Sequence, residues 1–258
     1  MRILYSRTQF WFDLKAGGSV AHTAGVIKGL TELCSVEIIS NDTLHGVDGI
    51  PTTIIKPYIK KELLYNIRFA PAIKQKIRSF EPDFVYHRYS GTSIATSLAC
   101  RRTGTPLVLE FNGSDVWVFK HWLKHGKGLR ARLNRAVSRP ILEYNERFNL
   151  DSAFLIVVVS DPLRNTLIEL GIPESRILVN PNGTDPGKFK TAPDDVCWEV
   201  KQTLEIPSDR TVIGFSGTFG RWHGIPELSA AITSINRDSK YRDKVSFVLY
   251  GDGELREE

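Results

Sequence analysis

The sequence has little of what marks several large protein classes. It contains one methionine and three cysteines in 258 residues, and Cys34, Cys100 and Cys197 are too few and too widely spaced to predict a disulfide framework or a zinc site. No apolar run approaches the ~20 residues of a membrane-spanning helix. The first residues, MRILYS, lack the basic and apolar segments of a signal peptide. We therefore expect a cytoplasmic globular protein with reduced thiols.

Two ligand motifs are also missing. The dinucleotide fingerprint Gly-x-Gly-x-x-Gly is absent, and so is the Asp-x-Asp motif that holds a metal-bound diphosphate. His121 and His125 stand four residues apart, but no neighbouring carboxylate or third ligand completes a metal site. We expect no metal and no resident cofactor.

What is present is an alternation of short apolar strands and amphipathic helices, which is typical of a parallel α/β fold. The clearest unit is an apolar strand from Phe154, a helix that begins near Asp161-Pro162, and a turn at Gly171 before a second strand. The same reasoning predicts further strands at 2–6, 36–40, 52–56, 84–87, 106–109, 212–216 and 245–250, and helices at 20–33, 61–80 with a break at Pro71, 92–102, 196–204 and 225–235.

Polar residues gather where the predicted strands end, which is where open α/β sheets bind ligands. Gly17 and Gly18 directly precede a helix, so their backbone can approach an anion or can simply form a flexible loop. Arg88 ends one strand, where it contacts a ligand or pairs with a carboxylate. Glu110 and Asn112 lie in the loop after the next strand, where Glu110 could orient a hydroxyl, act as a base or hold the loop by hydrogen bonds.

Several spacings agree with one known family. Val159-Ser160, Pro181-Asn182-Gly183, Asp185 and Phe189 resemble the hallmark of the retaining glycosyltransferases of family four, which have the GT-B fold. This resemblance implies an α/β protein of two Rossmann-like domains with parallel sheets. Residues 1–188 would form the acceptor-side domain, and residues 189–258 would form the first part of a donor-nucleotide domain that is truncated and therefore incomplete.

The resemblance also implies an activity, namely transfer of a sugar with retention from a nucleotide-diphosphate sugar to a hydroxyl acceptor in polysaccharide or glycolipid synthesis. The nucleotide sugar is then a co-substrate, and the acceptor is a carbohydrate or a lipid-linked molecule. We expect this chain to be inactive because it is truncated. The alternatives are a non-enzymatic nucleotide-sugar-binding or inert fragment, and a sugar-nucleotide epimerase of the same architecture.

Site residues follow from matching the family's loops to this sequence. Many members carry a histidine in the loop after the fifth strand, which this chain lacks. The expected catalytic residues are therefore Glu110, Asn112 and Arg221. The expected donor-binding residues are Gly17, Gly18, Arg221, His223, Gly251, Asp252 and Gly253, with His223 at a position that is usually lysine. The cleft is expected to include Arg88, Ser160, Asn182 and Asp185.

The net charge of +5 predicts an anionic partner. Seven Lys or Arg residues and no carboxylate lie between Lys120 and Arg139, and the region 117–139 also contains tryptophan and leucine. Such a segment either lies on an anionic membrane surface, which would place the protein at the inner face of the membrane, or is a solvated helical face. It contains no nucleic-acid recognition motif, so we expect no nucleic-acid partner.

Overall fold

A computed structural model describes residues 1–9, 17–56, 66–121, 128–187, 189–220 and 223–256. The chain divides into two compact units, Met1–Gly183 and Thr184–Glu258. Each unit contains a parallel sheet with helices between its strands, so the predicted α/β class is confirmed.

The first unit alternates strands and helices along almost its whole length. Its strands are β1 (Arg2–Arg7), β2 (Ser35–Ser40), β3 (Thr52–Ile54), β4 (Phe84–Arg88), β5 (Leu107–Phe111), β6 (Leu155–Val158) and β7 (Ile177–Val179). Its helices are α1 (Gly18–Leu33), α2 (Asn66–Phe80), α3 (Ala95–Thr103), α4 (Asp115–His121), α5 (Leu129–Ser152) and α6 (Asp161–Glu169).

The seven strands form one sheet in the order β3-β2-β1-β4-β5-β6-β7, with every neighbouring pair parallel. The chain runs outward from β1 to β3 and then returns to place β4 on the other side of β1. A crevice therefore opens beyond the carboxyl ends of β1 and β4, because the helices that follow these two strands leave toward opposite faces.

Two apolar cores cover the two faces of this sheet, as the alternation of side chains along a strand requires. Leu4, Val85 and Leu109 belong to one core, which packs against α2, α3 and α6. Ile3, Tyr5, Tyr86 and Val108 alternate with them and belong to the other core, which packs against Ile27 of α1 and its neighbours. The residues at the strand ends keep the same alternation, so the face beneath α1 continues into Arg7, Arg88 and Glu110.

The structure shifts several predicted boundaries. Glu110 lies within β5 and not in the loop after it, because the strand continues through Phe111. Helix α6 has Ser160 as its N-cap residue, in an extended conformation, and begins at Asp161. Pro71 lies inside α2 without breaking it. It stands in the second turn, where the helix loses one hydrogen bond but continues. The part of that predicted helix at 61–65 lies outside the described residues.

The second unit contains β8 (Thr211–Ser216) and β9 (Val245–Tyr250), which pair in parallel over six residues, together with α7 (Asp194–Thr203) and α8 (Ile225–Arg237). All four elements agree with the predicted ones to within two residues. The turns after β8 and β9 lie side by side, since the Gly217 N–H donates to the Tyr250 carbonyl at 3.0 Å and the Phe219 N–H donates to the Asp252 carbonyl at 2.9 Å.

Candidate active site

Three charged side chains form a row across the carboxyl ends of β1, β4 and β5. Arg7 is paired in register with Arg88, and Arg88 is paired with Glu110. All three side chains are buried, with Glu110 only 1% exposed. Buried charges of this kind need partners, since an isolated ion inside a protein is strongly destabilising. The row lies at the crevice of the first unit.

Glu110 is the centre of this cluster. Its Oε1 atom accepts hydrogen bonds from Arg88 Nη1 at 2.5 Å, Asn112 Nδ2 at 2.5 Å and His22 Nε2 at 2.9 Å. A carboxylate can only accept, so the His22 ring carries its proton on Nε2. The structure thus brings together the predicted residues Arg88, Glu110 and Asn112 and adds His22, which the sequence reasoning missed.

The environment keeps Glu110 ionised. Burial alone raises the pKa of this carboxyl, but the hydrogen bond from His22 and the charge of Arg88 outweigh it, so the pKa lies below its usual range. The nearby carboxylate also contributes, after burial, to raising the pKa of Tyr5 and of Tyr86, which keeps both phenols neutral. Burial lowers the pKa of Arg7 to about 9. A carboxylate with a lowered pKa is a weak base, and this favours an orienting role over proton abstraction.

Two acceptor atoms of the cluster remain uncommitted. Glu110 Oε2 and Asn112 Oδ1 are buried and have no hydrogen-bond partner of normal geometry among the residues that the structure describes, although the Tyr86 phenol also interacts with the Glu110 carboxylate. The orientation of the Asn112 amide is fixed, because its Nδ2 donates to Glu110 and a flipped amide would set two oxygens against each other. The pair of free acceptors matches a ligand that donates hydrogen bonds, such as a hydroxyl group.

The glycine loop stands at the start of α1. Gly17 is the N-cap residue with φ +124°, a conformation that favours glycine, and a Cβ at Gly17 or Gly18 would meet nothing within 4 Å. Among the residues that the structure describes, none therefore crowds the positive end of this helix, which suits an anion. His22 lies on the same helix, so its hydrogen bond to Glu110 links the glycine loop to the end of β5.

A second buried acidic cluster lies around α4 and α5 of the same unit. Glu146 accepts hydrogen bonds from Tyr89 Oη at 2.8 Å and Ser114 Oγ at 2.8 Å, and Asp115 accepts one from the Gly91 N–H at 2.6 Å. Burial raises the pKa of both carboxyls, and the hydrogen bonds that they accept offset only part of this effect. This cluster, which the sequence did not reveal, fixes the loop after β4 against α5.

The other predicted cleft residues belong to other segments of the chain. Ser160 and Asn182 follow β6 and β7, toward the edge of the sheet, and Asn182 is exposed. Asp185 is exposed in the second unit, where its Oδ1 accepts the Gly187 N–H at 2.9 Å.

In the second unit the predicted donor loops are adjacent. A Cβ at Gly251 would stand 1.9 Å from the Gly217 carbonyl oxygen, and one at Gly253 would stand 2.6 Å from that of Phe219. Glycine is therefore required at both positions for the loops to approach, whatever they bind. His223 Nδ1 lies 2.5 Å from the carbonyl oxygen of Thr218, in the turn after β8. In the turn after β9, Asp252 Oδ1 accepts a hydrogen bond from the Gly253 N–H. Arg221 lies outside the described residues, as does His125.

No helix in the described part of the chain is both long and apolar enough to cross a membrane. Among the same residues, His, Cys, Asp and Glu side chains do not gather in groups of three that could hold a metal ion.

Comparison with known proteins supplies sequence relatives. The profile of Glycosyltransferase Family 4 matches residues 16–188. The chain is also 28% identical over 189 residues to TuaC of Bacillus subtilis (strain 168), which bears the provisional name of a teichuronic acid biosynthesis glycosyltransferase. That match covers 72% of this chain and 42% of TuaC, so the chain spans less than half the length of this relative.

Solved structures share the fold. HepE of Anabaena, crystallised with UDP, has a TM-score of 0.68 at 18% identity, over 98% of this chain and 61% of HepE. UDP-GlcNAc 2-epimerase of Neisseria meningitidis has a TM-score of 0.53 at 16% identity, over 97% of this chain and 66% of the epimerase. At such identities the likeness shows the fold alone, and that fold is the predicted GT-B fold. Because the family profile covers more than half of its length, the chain belongs to glycosyltransferase family 4.

Proposed function

We propose that the protein transfers a sugar from a nucleotide-diphosphate sugar to a hydroxyl group of a carbohydrate or lipid-linked acceptor, with retention of anomeric configuration. The observation that carries the proposal is the ionised Glu110, held by Arg88, Asn112 and His22 at the crevice of a Rossmann-like sheet. Membership of family 4 supports the class of reaction. Retention rests on the resemblance of the sequence to the retaining members of that family.

The site residues divide into two roles in this proposal. Gly17 and Gly18, at the positive end of α1, stabilise the negative charge that develops on the departing diphosphate, and Arg221 and His223 have the same role. Asp252, between Gly251 and Gly253, borders the nucleotide. Glu110 and Asn112 orient the acceptor hydroxyl through their free oxygens. Catalysis is then electrostatic and needs no metal ion.

Two similar proteins support a particular class of donor and a particular class of product. HepE has been crystallised with UDP-glucose, which supports a uridine diphosphate sugar as the donor. The name of TuaC supports a role in the synthesis of a cell-surface polysaccharide. The chain spans 42% of TuaC and 61% of HepE. On the resemblance to family four, we place the acceptor side of the reaction on the first unit.

The basic region 117–139 supports a position at an anionic membrane surface. Trp117 of α4 and Val137 of α5 are 48% and 59% exposed, and Arg132 and Arg139 of α5 are exposed as well. Lys120 and Arg139 both contact Glu143, so part of the positive charge is neutralised within the protein. Binding to vesicles that contain anionic lipid, with loss of binding in Arg132→Glu, tests this position. Equal binding to neutral vesicles would contradict it.

The transfer itself is tested on the full-length natural polypeptide with radiolabelled UDP-glucose and the lipid-linked saccharides of the source cells. We expect a labelled glycoconjugate whose anomeric configuration, read by NMR, equals that of the donor. Replacement of Arg221 by alanine should lower kcat/KM by about 100-fold, the usual loss when one donor to a developing anion is removed. Binding of UDP-glucose without transfer would identify a binding protein, and interconversion of the nucleotide sugar without acceptor would identify an epimerase.

A further inference from the structure

The ion pair between Arg88 and Glu110 has an unusual form. Arginine and carboxylate groups usually meet at two points, with each oxygen accepting one N–H. Here Arg88 Nη1 contacts only Oε1, and Oε2 has no hydrogen-bond partner of normal geometry among the described residues. Both side chains are buried, so competition from bulk water does not explain why the second contact is missing.

The convergence of donors explains this geometry. Asn112 and His22 join Arg88 on the same oxygen, so rotation of the carboxylate toward a two-point contact would break both additional hydrogen bonds. The terminal torsion of glutamate is soft, and the orientation of the carboxylate therefore depends on such contacts. Asn112 is only two residues from Glu110 and moves with β5, whereas His22 reaches it from α1, 88 residues away in sequence.

We propose that His22 is a positioning residue that keeps the Arg88–Glu110 pair in its single-point form and so reserves Glu110 Oε2 for a hydroxyl group of the substrate. The inference rests on the proposed transferase function for the identity of that ligand. A neutral hydroxyl suits the site better than an ammonium group, since Arg88 already compensates the charge of Glu110. His22 also fixes the distance between this oxygen and the glycine loop, because it belongs to the helix that the loop begins.

The first test uses two variants of the full-length protein. His22→Leu removes the donor, and we expect the KM for the acceptor to rise about tenfold while the Kd for UDP stays unchanged. His22→Gln keeps an N–H that can reach Glu110, and we expect its acceptor KM to stay within about threefold of the natural value. Lys28→Leu, which adds the same side chain at an exposed position of α1, is the control. An unchanged acceptor KM in His22→Leu would overturn the inference.

The second test does not depend on turnover. In a crystal structure of His22→Leu we expect Arg88 to contact both oxygens of Glu110, and in His22→Gln we expect the single-point contact. Retention of the single-point contact in His22→Leu would overturn the inference even if the protein showed no transferase activity. If the natural protein shows no transfer while His22→Leu shows the two-point contact, the proposed function is refuted and the positioning role of His22 remains intact.

Discussion

Glu110 and Glu146 are both buried in the first unit, yet their pKa values shift in opposite directions. The pKa of Glu110 is lowered, because His22 and Arg88 act against burial. That of Glu146 is raised, because burial outweighs the hydrogen bonds that the neutral hydroxyls of Ser114 and Tyr89 donate to it. The charge of the partners, and not burial alone, therefore decides whether a buried carboxyl is kept ionised.

The largest effect should come from removing the charge at Glu110. Glu110→Gln leaves Arg88 buried without its counter-ion, and breaking such a pair costs about 3–5 kcal/mol. Urea denaturation at neutral pH measures this loss in the free energy of unfolding. A loss below about 1 kcal/mol would show that the two clusters do not differ in the way their pKa values indicate.

His87 extends the comparison to a buried base. Burial lowers its pKa from 6.5 to about 4, and its Nδ1 lies 3.0 Å from the Ser6 carbonyl oxygen. The unfolded chain therefore binds a proton at a pH where the folded protein does not. The contribution of His87 to the free energy of unfolding is fully present above pH ~6.5. It is lost as the pH falls toward 4, and the total loss is about 3 kcal/mol.

His87→Asn keeps a donor for the Ser6 carbonyl and removes the titrating ring. We expect the pH dependence of the free energy of unfolding between pH 6.5 and 4 to be smaller in this variant by about the same 3 kcal/mol. His121→Asn, at an exposed position of α4, is the control. Equal slopes in His87→Asn and the natural protein would contradict the assignment.

Close packing around Asp115 gives the next smaller effect. A Cβ at Gly91 would stand 2.8 Å from Asp115 Cβ and 2.9 Å from Tyr89 Oη, so Gly91→Ala must move the side chains of the second cluster. We expect a loss of about 1–3 kcal/mol in the free energy of unfolding. Gly25→Ala, in α1 with open space around it, should gain up to about 1 kcal/mol. Equal stability of the two variants would contradict the packing argument.

The smallest effect is expected at Glu146 itself. Glu146→Gln keeps an acceptor for Tyr89 and Ser114, and we expect its stability at pH 7 to lie within about 1 kcal/mol of the natural protein. The raised pKa of Glu146 means that the natural protein loses stability as the pH rises through that pKa, and the variant does not. The free energy of unfolding of Glu146→Gln should therefore increase relative to that of the natural protein as the pH rises. A shift in the opposite direction would mean that Glu146 is stabilised in its ionised form.

Much of the fold could be read from local patterns. Strands such as β9 and helices such as α7 were predicted to within a few residues, because apolar periodicity and Gly or Pro punctuation are local signals. The sequence did not reveal α5 as one 24-residue helix, since basic residues and Pro140 obscure its apolar pattern. The end of β5 was placed too early, because Glu110 reads as a loop residue until its buried partners are known.

The sequence by itself determined the α/β class, the family hallmark from Val159 to Phe189, and the presence of Arg88, Glu110 and Asn112 near strand ends. Only the tertiary structure decided what these residues do to one another. His22 meets Glu110 across 88 residues, and Tyr89 meets Glu146 across 57. Contacts over such separations depend on strand order and on the face that each side chain occupies, and neither can be read from the spacing of residues along the chain.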